Sequence, residues 1–184
     1  HPVTYKSGMA SRILTSSNFI DGYFNYSMSS NQAVGLQYLN IQQSKETIIF
    51  VQYNRLLKRW NLPIAQGNIH ATIATGYNQK NHHIFPCFLL SADFENRSFF
   101  SKGLFKYMSP QSKSATYTQF RLGFSPIKHN YNDLSTWIMV QFEQFNYLNK
   151  STIIMPLYRG FYKKYLWEFG SNGKHSLFHV MIHL

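Results

Sequence analysis

The sequence predicts an all-β protein, a closed antiparallel up-and-down barrel of about twelve strands, with about ten strands as the alternative. Three observations predict this fold class. Most of the chain alternates between apolar and polar residues, which is the period of a β-strand. Turn signals separate the alternating runs at regular intervals. No stretch among the 184 residues has the roughly 20 apolar residues that a membrane-spanning helix needs.

The alternating runs follow one another from near the N-terminus to the C-terminus. In the first run, Ile20, Phe24 and Tyr26 alternate with Asp21 and Asn25. A strand places these two sets on opposite faces, because successive side chains point to opposite sides of the sheet. In chain order the segments with this character are 19–28, 33–40, 67–77, 86–96, 115–125, 136–145, 164–171 and 175–184, and segment 46–57 is a long run of β-branched and aromatic residues that also predicts a strand.

The chain is predicted to form a single β-barrel domain over residues 1–184, because no linker, repeat or low-complexity segment divides it. Its first residue is His1 rather than Met, which suggests a mature form whose targeting segment has been removed, although trimming would give the same start. Cys87 is the single cysteine, so no internal disulfide can form.

The composition is low in charge and rich in aromatic residues. Charged residues make up 14% of the chain and aromatic residues 17%, whereas a typical soluble domain has about 25% charged residues. The net charge of +11 fits either a nucleic acid or an anionic membrane surface. No basic run or nucleic-acid-binding motif occurs, so no nucleic acid is expected as a partner.

The polar faces of the predicted strands indicate an inverted barrel. Five of the seven acidic residues fall on these faces, together with Gly35, Gly76, Gly123 and Gly170, which suit a crowded concave surface. A transmembrane barrel turns its apolar residues to lipid and its polar residues to the lumen. We therefore expect a closed antiparallel up-and-down transmembrane β-barrel. Its expected lumen charge network consists of Asp93, Glu95, Arg121, Glu143 and Glu168.

Aromatic residues near the predicted strand ends fit the girdles that flank the apolar band of a membrane barrel. This observation supports the inverted barrel only weakly, because aromatic residues also favour strands in general. The residues concerned are Tyr26, Tyr38, Tyr77, Phe145, Tyr147, Phe161, Tyr162 and Tyr165.

The closing segment carries a family resemblance. Trp167 and Phe169 precede it, and Phe178, Val180 and Ile182 alternate up to the C-terminal Leu184. This pattern resembles the assembly signal of Gram-negative outer-membrane β-barrel proteins, which typically end in Phe rather than Leu. The resemblance implies a location in the outer membrane of a Gram-negative bacterium. It also implies contacts with outer-membrane lipid and with the barrel assembly machinery.

The opposite face of the closing segment carries His175, His179, Met181 and His183. Imidazole and thioether groups bind copper or zinc, so these four residues, with His70 and His1, are the candidate metal ligands. Residues two apart on a strand are separated by about 6.6 Å, so neighbours can share an ion, but residues four apart cannot. The competing interpretation is that these side chains simply fill a polar lumen without any ligand.

The closing hairpin also bears on catalysis. The Asn172-Gly173 pair predicts a two-residue turn, which would pair Gly170 with His175 and place Glu168 diagonally to His179. Ser176, however, points to the face opposite Glu168, which separates a nucleophile from its acid. Catalysis is left open but is not favoured.

The sequence thus favours an outer-membrane barrel, porin-like and without enzymatic activity, that conducts or binds a small solute, with a transition-metal ion as one candidate. The first alternative is an outer-membrane enzyme that modifies lipid. The second is a soluble periplasmic β-barrel binding protein, whose apolar face would be an ordinary core.

Overall fold

Antiparallel strands fill nearly all of the described part of the chain. The structure, a computed structural model, describes residues 2–109, 114–127, 133–146 and 151–184, without the side chain of residue 151. Within these ranges, no helix has the length and apolar character needed to cross a membrane. The twelve strands are β1 (Met9–Ser16), β2 (Phe19–Ser29), β3 (Gln32–Ile41), β4 (Glu46–Leu62), β5 (Ala65–Asn78), β6 (His83–Asn96), β7 (Phe99–Met108), β8 (Ala115–Phe124), β9 (Ser135–Phe145), β10 (Ser151–Tyr162), β11 (Tyr165–Ser171) and β12 (Ser176–His183).

The strands form one closed barrel, in which each strand pairs with its neighbours in sequence and β1 pairs with β12. The backbone of Met9 closes the seam: its N–H donates to Leu184 O at 2.7 Å, and its carbonyl accepts from Leu184 N at 2.8 Å. The predicted closed antiparallel barrel of twelve strands is confirmed. The start of β1 and the end of β12 lie at the same end of the barrel, which we call the terminal end; we call the other the distal end.

The outer surface of the barrel is apolar, as the alternation predicts. On β4, Val51 is 65% exposed, whereas its neighbour Phe50 is fully buried in the lumen. Val51 pairs across the sheet with Leu36 of β3, which is 58% exposed. The same pattern of an exposed apolar residue followed by a buried one recurs along the other strands. The barrel therefore turns its apolar faces outward.

The lumen is only partly polar, which differs from the uniformly polar lumen expected from the sequence. Towards the distal end it is filled by a packed cluster of apolar side chains, which we call the distal cluster. Phe50 and Phe85 meet edge to face there, with ring centroids 5.9 Å apart, and Phe145 packs on Phe19 at 6.5 Å. Phe145 thus faces the lumen and is not a girdle residue, while Tyr147 lies outside the described residues. Members of the distal cluster are Phe19, Leu39, Ile41, Ile48, Phe50, Phe85, Met108, Ala115, Phe145, Ile153, Met155 and Leu177, which belong to a larger buried apolar cluster that extends to Phe100, Trp137 and Met139 towards the terminal end.

Inward-facing glycines make room for this packing. A Cβ on Gly35 would lie 2.0 Å from Asn25 Oδ1 and 2.3 Å from the carbonyl oxygen of Phe24. A Cβ on Gly76 would lie 2.7 Å from the rings of Phe50 and Phe85. All three distances are much shorter than van der Waals contact. The crowded concave face expected from the sequence is therefore present at these positions.

Residues 2–4 of the N-terminal segment (residues 2–8) lie against the inner wall at the terminal end, whereas residues 5–7 are exposed. Val3 is 2% exposed. The carbonyl oxygen of Pro2 accepts a hydrogen bond from Asn25 Nδ2 at 3.2 Å, and Thr4 N donates to Ser27 Oγ at 2.9 Å. The segment therefore narrows the lumen from the terminal end, as the distal cluster does from the other end.

Candidate functional site

A buried carboxylate, Glu168 of β11, organises the polar part of the lumen. It is fully buried and accepts from two arginines: Arg159 Nε donates to Oε1 at 2.7 Å, and Arg121 Nη1 donates to Oε2 at 2.7 Å. His179 Nδ1 lies 2.5 Å from Oε2. Arg159 and His179 are its direct cross-strand partners on β10 and β12, whereas Arg121 reaches across from β8. One carboxylate thus joins four strands.

The register of the closing hairpin differs from the prediction by two residues. The structure pairs Gly170 with Leu177 and Glu168 with His179. The turn spans four residues rather than two, because Asn172 Oδ1 accepts from Lys174 N at 3.1 Å and from His175 N at 2.8 Å. A shift of two residues keeps each side chain on its predicted face. It also brings His179 directly beside Glu168 instead of diagonal to it.

Glu143 of β9 belongs to a chain of hydrogen bonds that leads to the same centre. Its Oε2 accepts from Tyr117 Oη at 3.0 Å and from Gln141 Nε2 at 2.7 Å. Gln141 Oε1 in turn accepts from Arg121 Nε at 2.7 Å. The sequence-predicted residues Arg121, Glu143 and Glu168 are therefore connected, with Gln141 as the link.

The other two members of the predicted charge network lie apart from this centre. Asp93 of β6 is buried and accepts from Asn68 Nδ2 at 2.8 Å. Asn68 Oδ1 accepts from Arg59 Nε at 2.8 Å. Glu95, two residues further along β6, is exposed near the terminal end. The predicted network is thus split into a centre around Glu168 and a separate group around Asp93.

A further polar group covers β1 to β4. Asp21 forms an ion pair with Arg12 and accepts from Gln37 Nε2 at 2.6 Å. Asn25 Oδ1 accepts from Gln52 Nε2 at 2.8 Å and from Asn54 Nδ2 at 3.3 Å. These contacts join the polar wall on this side of the barrel to the N-terminal segment.

A cavity of about 140 Å³ lies between these polar groups. Its wall combines basic, amide and apolar side chains from most of the strands, and it reaches Pro2 at the terminal side and part of the distal cluster at the other. The lining residues that determine the chemistry of this cavity are Arg12, Leu14, Asp21, Leu39, Gln52, Lys102, Leu104, Lys106, Gln119, Arg121, His179 and Met181.

The predicted metal ligands are distributed along the lumen rather than grouped. His179 and Met181 both line the cavity, but His179 Nδ1 is already held by Glu168. His175 is half-buried in the turn before β12, and His183 is half-buried at the other end of that strand. His70 is buried on β5, and His1 lies outside the described residues.

No group of three or more His, Cys, Asp or Glu side chains that could hold a metal ion occurs in the described ranges. The basic residues of the cavity wall also repel a cation electrostatically. The copper or zinc site therefore stays a prediction without geometric support.

The residues weighed for catalysis at the closing hairpin are also separated. Ser176 is exposed and pairs with Ser171, while Glu168 is buried inside the lumen. The described residues at this hairpin therefore do not bring a serine, a histidine and an acid together.

Several residues that define the site have no clear signal in the sequence. Arg12, Arg159 and Lys102 were not among the predicted lumen residues, although each lies on the inner side of its strand. Arg12 and Lys102 were missed because the inward residues two positions away on either side are apolar, so no inward polar pattern marks them. Arg159 was missed because residues 153–158 before it are apolar or aromatic on both faces, so the sequence of β10 shows no alternation between polar and apolar residues.

Comparison with known proteins reveals similarity in fold alone. No protein-family model and no curated protein matches the chain. The solved structure of the KdgM porin in complex with disordered oligogalacturonate superposes with a TM-score of 0.58 at 9% identity, covering 96% of this chain and 97% of that one. A second KdgM porin structure gives a TM-score of 0.54 at 10% identity, with coverage of 96% and 97%.

A third structure, OccK11 (OpdR) of Pseudomonas aeruginosa, gives a TM-score of 0.45 at 9% identity and covers 95% of this chain but 63% of that one. The two KdgM structures establish that the chain has the fold of a porin-like barrel. The resemblance to outer-membrane β-barrel proteins, predicted from the closing strand, is confirmed at the level of the fold.

Proposed function

We propose that the protein is an integral barrel of a Gram-negative outer membrane that binds a small solute in its lumen and passes it across slowly. The observation that carries this proposal is the inversion of the barrel. Val51 and Leu36, side by side at mid-strand, are exposed, while Arg121 and Glu168 are buried on the inner face. In water such an outer surface would be an aggregation hazard, whereas lipid would cover it.

Closure of the barrel supports the same location. A lipid environment offers no hydrogen bonds to an open sheet edge, so strands can span it only when every edge is paired. Here β1 pairs with both β2 and β12. Outer-membrane lipid and, through β12, the barrel assembly machinery are the partners that this location requires.

The lumen supports binding rather than free passage. The distal cluster packs Phe50 and Phe85 across one end, and Val3 of the N-terminal segment is buried at the other. The space between them is the cavity of about 140 Å³. An engineered cavity of about 150 Å³ binds benzene, so this cavity suits a small molecule built on about one ring of that size. Passage of anything larger would require these side chains to move.

The experiment has two parts. The first is to isolate the protein from outer membranes and compare its solubility and electrophoretic mobility, before and after heating, with and without detergent. We expect the protein to stay in solution only with detergent. On electrophoresis we expect the unheated protein to migrate as a compact folded species and the heated protein to migrate as an unfolded one. A stable monomer in plain buffer would instead favour the soluble barrel. The second part is conductance in a planar bilayer, where we expect a small conductance from the occluded lumen; a large, steady conductance would contradict the occlusion.

A further inference from the structure

The wall of the cavity carries an excess of positive charge. Of the described residues that line it, only Asp21 bears a carboxylate. Its basic lining residues are Arg12, Lys102, Lys106 and Arg121. The excess remains after pairing is considered, because Arg12 pairs with Asp21 and Arg121 pairs with Glu168 behind the wall. What remains is the charge of two lysines.

The two lysines differ in their surroundings. In the part of the chain that the structure describes, no ion pair joins either lysine to a carboxylate. Lys102 nevertheless faces Asp93 directly across the ladder from β6, so a counter-charge is near. Lys106 lies between Leu89 of β6 and Tyr117 of β8. Its cross-strand neighbours therefore supply no counter-charge.

Lys106 is also the more buried of the two. It is 7% exposed, and its Nζ lies 4.4 Å from the centroid of the Phe50 ring. A cation–π contact offsets only part of the cost of taking an ammonium group out of water. A buried cation that lines a cavity and has no acidic partner is the arrangement expected of a site that receives its counter-charge from a ligand.

The other lining residues of the cavity indicate the chemistry of the rest of that ligand. Leu14, Leu39 and Leu104 line the cavity, with Met181 and Met108. The volume of about 140 Å³ is close to that of an engineered apolar cavity of about 150 Å³ that binds benzene. An inorganic ion would make no contact with these apolar side chains, and a ligand made of several linked units would exceed the volume of the cavity.

Resting on the proposed function, we propose that the solute of this cavity is a small organic anion. Its acidic head group binds the ammonium of Lys106, and its apolar body, about the size of a benzene ring, packs on the leucines. The net charge of +11 supports entry of such a solute, because a positive field raises the local concentration of anions. The head-group chemistry is that of a carboxylate, and the test uses benzoate as the probe.

The experiment measures the binding of benzoate and of its neutral isostere benzamide to the folded, detergent-solubilised protein by calorimetry, with detergent alone as the blank. The variants are Lys106→Met, which keeps the length and apolar stem of the side chain, and Lys164→Met as a control. Lys164 is exposed in the turn between β10 and β11, so its removal changes the net charge equally without touching the cavity. The change in electrophoretic mobility on heating verifies that each variant is folded.

We expect benzoate to bind the wild type and the Lys164→Met variant equally, and the Lys106→Met variant at least about tenfold more weakly, as for loss of a charged hydrogen bond. Benzamide should bind the wild type at least about tenfold more weakly than benzoate. Equal affinity of wild type and Lys106→Met for benzoate would overturn the inference. So would equal binding of the two probes to the wild type, a comparison that needs no variant to fold.

The outcomes also separate this inference from the proposed function. If benzamide binds and benzoate does not, the cavity takes a neutral solute, so the anion inference fails while a solute-binding barrel stands. If neither probe binds, the anion inference fails, and conductance and detergent dependence decide the proposed function separately. If the protein proves soluble without detergent, the proposed location fails whatever the cavity binds.

Discussion

Glu168→Gln is the substitution expected to destabilise the barrel most clearly through its electrostatics. The carboxylate is fully buried, and it accepts from Arg121 and Arg159 at 2.7 Å each, with His179 at 2.5 Å. Glutamine has nearly the same shape, but it carries no charge and replaces one acceptor oxygen with a donor. The NH2 group of the glutamine amide would then face at least one arginine N–H donor, and that donor would have no other acceptor within the site.

The magnitude follows from what the substitution leaves behind. Two guanidinium groups, 4% and 8% exposed, would keep their charge and lose their shared counter-ion. Breaking a buried ion pair by removing one partner costs about 3–5 kcal/mol. We expect a decrease of that size in the free energy of unfolding, against a typical total of about 5–15 kcal/mol for a domain.

The assay is equilibrium unfolding by urea of the protein in detergent or lipid, followed by tryptophan fluorescence and by the mobility of the folded band. Glu143→Gln is the matched control, because Glu143 accepts from the neutral donors Tyr117 and Gln141. Its loss should cost about 1 kcal/mol. The reasoning is refuted if the two variants lose equal stability, or if Glu168→Gln costs less than about 1 kcal/mol.

Three further predictions concern packing, the outer surface and metal binding. Gly35→Ala should cost about 1–3 kcal/mol by overpacking, since its Cβ would meet Asn25 Oδ1 at 2.0 Å. Gly103→Ala, with nothing within 4 Å, should stay within about 0.5 kcal/mol of the wild type in the same urea assay; similar losses would contradict the inward packing. Val51→Arg should cost about 2–4 kcal/mol in a phospholipid bilayer, and a neutral effect would argue against lipid contact. Titration with copper or zinc should find no stoichiometric site in the lumen, because its wall repels cations; tight binding abolished by His179→Ala/His183→Ala would reinstate the metal site.

The alternation of side chains predicted most of the strands and their faces because it is a local property, whereas β1, β7 and β10 match none of the segments identified in the sequence. Outward Phe120 and inward Arg121, for instance, follow from neighbouring positions alone. The same holds for the closing strand, where Phe178 faces out and His179 faces in. Even the mistaken register of the last hairpin preserved these faces, because the four-residue turn capped by Asn172 differs from the predicted turn by an even number of residues.

Contacts across the lumen could not be predicted in this way. Arg121 and Glu168 are 47 residues apart in sequence, and only the closed barrel brings them together. The distal cluster was missed for a related reason. Ile48 and Phe50 are apolar on the inner face while Ile49 and Val51 are apolar on the outer face, so this run shows no alternation. A strand segment that is apolar on both faces was the sequence signal for a lumen filled by apolar side chains.

The measurement that tests the account most directly is the accessibility of spin labels along β4 in reconstituted vesicles. Single cysteines would replace Ile49, Val51 and Gln52 in turn, in a background where the buried native Cys87 is changed to Ser. The account predicts that labels at Ile49 and Val51 collide with oxygen dissolved in lipid, while the label at Gln52 does not. Labels at Ile49 and Val51 that collide mainly with a water-soluble nickel complex would contradict the inverted barrel, and with it the proposed location.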